Sequence, residues 1–249
     1  MATVDEIKAA ISSLAYSERE SIGAWLEELN GGALRIGESA AAYETAHELL
    51  SVEEYLEREA ASPIRHEYVH GVLHAMCGVS RSHNRIACNL LAAFGACLRG
   101  SPCEPYMSDF KVRIEINQSD VFYYPDLMVA CARDDVDKYF LRYPKLIVEI
   151  LSPSTEQIDR REKRFNYRLI PTLEEYVLIS QDAFELTSYA RADNWTQHLT
   201  VGADAVFEFR SIGLTLPVSQ IYERVDDIVE ERSASSREPC LSTRQENNG

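Results

Sequence analysis

Tyr123-Tyr124-Pro125-Asp126-Leu127-Met128-Val129 and Leu146-Ile147-Val148-Glu149-Ile150-Leu151 are the two stretches that set the fold class. Each is a short apolar run that reads as a buried strand, and each carries one carboxylate. A buried carboxylate costs several kcal/mol or more unless it is paired or binds a metal. The two acids lie 23 positions apart, room for the end of one strand, a loop and the next strand. Neighbouring strands sit about 4.8 Å apart, so two such side chains on one face can share an ion. Two carboxylates suit Mg²⁺, with Mn²⁺ as a substitute, because a hard cation keeps waters and also takes phosphate oxygens. Alone, Asp126 could cap a turn after Pro125 and Glu149 could pair with an arginine. Together in strands they favour a metal site.

The segment after Glu149 adds to this. Asp159, Lys163 and Tyr167 recur at i, i+4, i+8 and form one helical stripe. Phe165 lies on roughly the opposite side and is expected to face the core. Between Asp159 and Arg168, five cations (Arg160, Arg161, Lys163, Arg164, Arg168) stand against two acids, a local +3 in a chain of formal net charge −15. One reading is a phosphate-facing helix with Lys163 reaching the scissile group. The other is a solvated face laced by i,i+4 ion pairs.

Working outward, Ser51-Val52-Glu53-Glu54 is a capping box opening a helix that stops before Pro63. His66 to Cys77 reads as two strands turned at His70-Gly71. A helix from about Ser82 to Leu98 carries Ile86, Leu90, Leu91, Phe94 and Leu98 on one face. Strands are expected near 104–107, 109–116, 123–131, 145–151, 175–180, 184–190, 195–200 and 205–209. Ser154-Thr155-Glu156-Gln157 is expected to cap the helix that carries Lys163. Residues 1–47 read as a small helical appendage with a Gly-rich linker, 48–225 as the main domain, and 226–249 as a polar tail with the composition of disorder. The fold class is α/β with a mixed sheet.

The 249 residues are 45% hydrophobic, which supports a packed core. A net charge of −15 argues against a non-specific nucleic-acid coat or a membrane-surface protein, but not against a local basic groove. The cysteines Cys77, Cys88, Cys97, Cys103, Cys131 and Cys240 form no C-x-x-C pair, so zinc spacing is absent. No signal peptide or membrane-spanning apolar run is legible, and no Gly-rich phosphate loop points to a small-molecule cofactor. The expected setting is cytoplasmic, with reduced thiols.

Several blocks together resemble the Uma-type restriction endonuclease family, a branch of the PD-(D/E)xK nucleases. They are Ser51–Leu56, His66-Glu67-Tyr68-Val69-His70-Gly71, Ser82-His83-Asn84-Arg85-Ile86, Ser108–Arg113, Tyr124-Pro125-Asp126, Val148–Thr155 and Asp159–Tyr167, with Ile170–Tyr176 behind them. The resemblance spans roughly 48–225 and implies a restriction-endonuclease-like core and an endonuclease hydrolysing DNA phosphodiesters with Mg²⁺. It makes Asp126 the PD aspartate and Glu149 the acid of (D/E)xK, with the carbonyl of Ile150 as a further ligand. The standard lysine position is Leu151 here, and the family's displaced lysine matches Lys163. Glu67 and His83 match family positions at the hairpin and the long helix, and each also has an ordinary structural reading. Tyr167 could hydrogen-bond a site carboxylate or simply pack. Arg160, Arg164 and Lys111 are the expected nucleic-acid contacts, and a homodimer is compatible with cutting two strands. Two other readings compete: a catalytically inactive nuclease-fold protein that binds nucleic acid or a protein partner, and a cysteine hydrolase using His83.

Overall fold

The structure, a computed structural model, describes residues 49–116, 119–132, 135–153, 155–226 and 228. The appendage expected over 1–47 and nearly all of the expected tail lie outside the described residues.

The apolar run around Glu149 becomes the longest strand, β8 (Pro144–Leu151), buried on both faces apart from Lys145. A strand buried on both sides needs covering layers, and the chain supplies them. β8 pairs antiparallel with β6 (Leu127–Ala130) and parallel with β9 (Glu175–Ser180). β3 (Glu104–Met107), β10 (Glu185–Ala190) and β11 (Gln197–Val201) complete a six-stranded mixed sheet in the order β11-β10-β9-β8-β6-β3. The long helix Arg81–Cys97 packs Ile86, Leu90 and Phe94 against Leu127, Val129, Val148 and Ile150 on one face. On the other face Met128, Ile147 and Leu151 pack with Tyr167 and Tyr176. Side chains alternate along a strand, so Asp126 and Glu149 share the face of Met128 and Ile147.

A five-stranded sheet stands beside it, ordered β2-β1-β5-β4-β7. Its strands are β1 (His66–Val69), β2 (Val72–Ala75), β4 (Lys111–Ile116), β5 (Ser119–Tyr123) and β7 (Phe140–Leu141). The β1–β2 turn falls at His70-Gly71 as expected. Both residues have positive φ, 49° and 94°, as a two-residue hairpin turn requires. A Cβ on Gly71 would also meet Leu49 at 2.8 Å. The capping box at Ser51 is present: Glu54 N–H donates to Ser51 Oγ at 3.2 Å and Ser51 N–H to Glu54 Oε2 at 2.8 Å. It opens the helix Val52–Ala61, whose Tyr55 stacks on Tyr68 at 4.9 Å.

Four expectations change. The strand expected over 123–131 is shorter, β6 (Leu127–Ala130): Tyr123 closes a separate strand, β5, and after Tyr124-Pro125-Asp126 the chain enters the other sheet. Pro125 has no N–H for a ladder, and the break leaves Asp126 at a sheet end. Three strands were not anticipated, β5, β7 and Leu214–Pro217, the last pairing with Val206–Phe209. Phe165 does not face the core but is 55% exposed. The helix instead buries its charged stripe, because those charges neutralise one another. Finally, Cys103 and Cys131, where all thiols were expected reduced, form a disulfide between the ends of β3 and β6.

Candidate active site

The two acids meet where β6 and β8 run antiparallel. Leu127 lies opposite Val148, which sets Asp126 across from Glu149. Their backbones lock them together: Ile150 N–H donates to Asp126 Oδ2 at 2.7 Å, and Asp126 N–H donates to Glu149 Oε2 at 3.3 Å. His83, in the first turn of the long helix, brings Nε2 to 3.1 Å from the same Asp126 oxygen. Its Nδ1 is buried without a hydrogen-bond partner among the described residues.

The helix after β8 covers this pair. It runs as Glu156–Ile158, a π-helical turn Asp159–Lys163, and Arg164–Tyr167. Thr155 occupies the N-cap position without a side-chain cap bond, and its hydroxyl pairs with Ser152 at 3.0 Å. Irregular π turns concentrate at functional sites, and this one aims its charges at Glu149. Lys163 Nζ lies 2.9 Å from Glu67 Oε1, 3.3 Å from Glu149 Oε1 and 3.2 Å from Asp159 Oδ1. The Asp159 contact is an ion pair off the hydrogen-bond angle, so Oδ1 remains without a hydrogen bond. Tyr167 Oη donates to Glu149 Oε1 at 2.8 Å. Glu67 also accepts the Tyr124 N–H at 3.3 Å, tying β1 to the Pro125-Asp126 turn.

Three carboxylates, Glu67, Glu149 and Asp159, thus surround one ammonium, with Asp126 beside Glu149. Burial pushes the Glu149 carboxyl well above the ordinary range. Lys163 opposes that shift, and Asp159, Asp126 and Glu67 add to it. Burial raises Asp159 in the same way, against Lys163 and Thr155. For Lys163, burial acts to lower the pKa, but Glu149, Glu67 and Asp159 outweigh it and hold the ammonium charged. Burial, then Glu149, raises the Tyr167 hydroxyl, which therefore stays a donor.

These groups line a cleft of about 480 Å³ that includes Glu67, His83, Asp126, Glu149, Ile150, Asp159 and Lys163. Its walls are the 74–80 segment on one side and Ser152, Pro153, Thr155 and Ile158 on the other. Six of the residues singled out from sequence come together here: Asp126, Glu149, Lys163, Glu67, His83 and Ile150. Tyr167 is buried directly behind them. The three expected nucleic-acid contacts do not converge in the same way. Arg160 pairs with Glu156 at 2.7 Å and Glu185 at 3.5 Å, and Arg164 stands 5.0 Å from the centre of the Tyr189 ring. Lys111 is buried with Nζ donating to Tyr124 Oη at 3.3 Å, and does not reach the surface. Asp159 and Tyr124 belong to the site without having been assigned to it. Asp159's place in the Lys163 stripe was the available signal.

Among the described residues, no three His, Cys, Asp or Glu side chains are spaced as a ready-made cation cage. Lys163 stands among Glu67, Glu149 and Asp159 instead. The donor set still fits a hard divalent ion: every carboxylate ligand is an oxygen donor, positive charge is deficient, and Asp159 Oδ1 is a buried acceptor without a hydrogen bond.

A mixed sheet flanked by helices, with two acids opposed across antiparallel strand ends and a lysine beside them, defines a restriction-endonuclease-like α/β protein. Residues 52–219 match the Uma2 family, described as "Putative restriction endonuclease", and the chain belongs to that family. It is 39% identical to the uncharacterized protein slr1290 of Synechocystis sp. over 70% of this chain and 91% of that one. It is 31% identical to sll1609 of the same organism over 65% and 93%. A crystal structure described as "a putative nuclease belonging to DUF820" from Anabaena variabilis superposes with a TM-score of 0.58 at 17% identity, covering 71% of this chain and 99% of that one. At that identity the likeness speaks for the fold. Family and fold together indicate a restriction-endonuclease-like nuclease.

Proposed function

We propose that the chain is a Mg²⁺-dependent endonuclease that hydrolyses DNA phosphodiesters at the Asp126–Glu149 pair. The observation that carries the reading is the opposition of these acids at the mouth of a cleft, each fixed by a backbone N–H of the other's strand. Asp126 and Glu149 would hold the ion, with Ile150 beside them. A divalent ion supplies activation of the attacking water and neutralisation of charge on the phosphate. His83 fixes the Asp126 carboxylate, and Tyr167 fixes Glu149. Lys163 positions Glu67, Glu149 and Asp159 and brings a permanent positive charge to where a phosphate oxygen would enter. The working unit is 48–225, with 1–47 and 226–249 as appendages, and the active form is a homodimer in the cytoplasm. Reduction of Cys103 and Cys131 there leaves β3 and β6 joined by their ladder from Glu104–Ala130 to Met107–Leu127.

One observation favours a second reading. Lys163 already neutralises part of the carboxylate cluster, as a cation would. A non-catalytic binding protein on the same fold would need no metal. Oligonucleotide or plasmid cleavage in Mg²⁺ or Mn²⁺ decides. The nuclease reading expects turnover that disappears in Asp126→Ala and Glu149→Ala. Metal-dependent cleavage surviving both substitutions would overturn the site assignment.

A further inference from the structure

The helix over the active site has an outer face as unusual as its inner one. Its buried residues are Asp159, Lys163, Asn166 and Tyr167. Facing outward are Ile158 (45% exposed), Arg161, Glu162, Phe165 (55%), Arg168 and, just beyond the helix, Leu169 (45%), with Glu162 Oε1 accepting from Tyr123 Oη at 2.7 Å. An exposed phenylalanine between two arginines is not a fold-stabilising arrangement. Ile158 also lines the catalytic cleft, so this face continues directly from the cleft mouth.

The cations here are the available ones. Arg160 is held by Glu156 and Glu185. The Arg161 guanidinium has no ion pair or hydrogen bond among the described residues. Arg168 rests over the Trp195 ring at 5.8 Å, with Arg191 over the same ring at 5.1 Å. In a chain with 40 acids and 25 Lys and Arg, two cations free of carboxylate partners flanking an exposed ring match a polyanion that also offers flat apolar faces.

We propose that the outer face of this helix is a track for single-stranded nucleic acid leaving the cleft, with Phe165 stacking on a base and Arg161 and Arg168 holding flanking phosphates. The track rests on the nuclease reading for its purpose, though not for its test. Paired bases present no free face to Phe165, whereas unpaired ones do. Single-strand sites commonly combine a cationic path with aromatic platforms.

The test is fluorescence anisotropy of a fluorescein-labelled oligothymidine of about 15 nucleotides with the full chain in EDTA, where nothing is cut. The expected result is binding at least about tenfold tighter than to a duplex of the same length. Phe165→Ala weakens it about fivefold or more without changing the salt dependence, and Phe165→Trp restores it. Arg161→Ala and Arg168→Ala weaken it and each lower the slope of log K against log salt by about 0.7. The same titration with oligouridine assigns the sugar. Wild-type affinity in Phe165→Ala, or a duplex bound as tightly as the single strand, overturns the track. So does a dimer in sedimentation that Phe165→Ala dissociates while oligonucleotide binding is unchanged, which would make this face a protein interface. Phe165-dependent binding without metal-dependent cleavage keeps the track and discards the nuclease. Cleavage with a neutral Phe165→Ala does the reverse.

Discussion

Two buried carboxylate clusters sit a few residues apart in this fold, and they are solved differently. Glu59 is 3% exposed. Its Oε1 accepts from His66 N–H at 2.9 Å and from Tyr124 Oη at 2.7 Å, and its Oε2 lies 3.0 Å from His66 Nδ1. Lys111 closes that cluster through Tyr124, and burial lowers its own pKa. One acid meets a histidine, a phenol and a lysine. At the cleft, Glu67, Glu149 and Asp159 share Lys163, Asp126 meets His83, and Asp159 keeps an oxygen without a hydrogen bond. The first cluster is complete within the protein. The second lacks positive charge, which the proposed cation would supply.

Removing Lys163 should separate the two clusters most sharply. Lys163→Ala leaves buried Glu149 and Asp159 and half-buried Glu67 without their shared ammonium, and losing one partner of a buried pair costs about 3–5 kcal/mol. Urea unfolding at neutral pH should show this loss, and Mn²⁺ should restore part of it. Glu59→Gln removes a charge whose hydrogen bonds are all made inside the protein. The expected cost is about 1–3 kcal/mol, with Mn²⁺ affinity unchanged. A change in Mn²⁺ affinity would mean that the two clusters act as one.

The smallest effect is a slope. Burial raises the Glu149 carboxyl above its ordinary value of 4.5. Between that value and the raised one, the folded state binds more protons than the unfolded, so metal-free stability falls as pH rises through the window. Glu149→Gln should flatten that fall relative to wild type, as followed by thermal unfolding from pH 4 to 9 in EDTA. A parallel pair of curves would contradict the raised carboxyl.

The acids at 126 and 149 were legible because a carboxylate inside an apolar run stands out, and the capping box and the His70-Gly71 turn because their chemistry is local. Phe165 was not. Wheel logic places a phenylalanine inward, but here a lysine ringed by acids occupies the inner face. The Glu59 cluster was also invisible, since α-helical Glu59, His66, Tyr124 and Lys111 meet only through tertiary packing. The split at Tyr124-Pro125-Asp126 hid inside one apolar run although Pro125 marked it. Cys103 and Cys131 became partners only once β3 and β6 were paired.

Calorimetric titration with Mn²⁺ reads whether the cleft acids receive a divalent ion. Binding to the wild type is expected, lost in Asp126→Ala and Glu149→Ala and kept in Glu59→Gln. At a hundredfold excess over its dissociation constant, the ion should stabilise the fold by about 2.7 kcal/mol. Absence of binding by the wild type, or equal binding by Asp126→Ala, would contradict a divalent-ion site at the cleft acids.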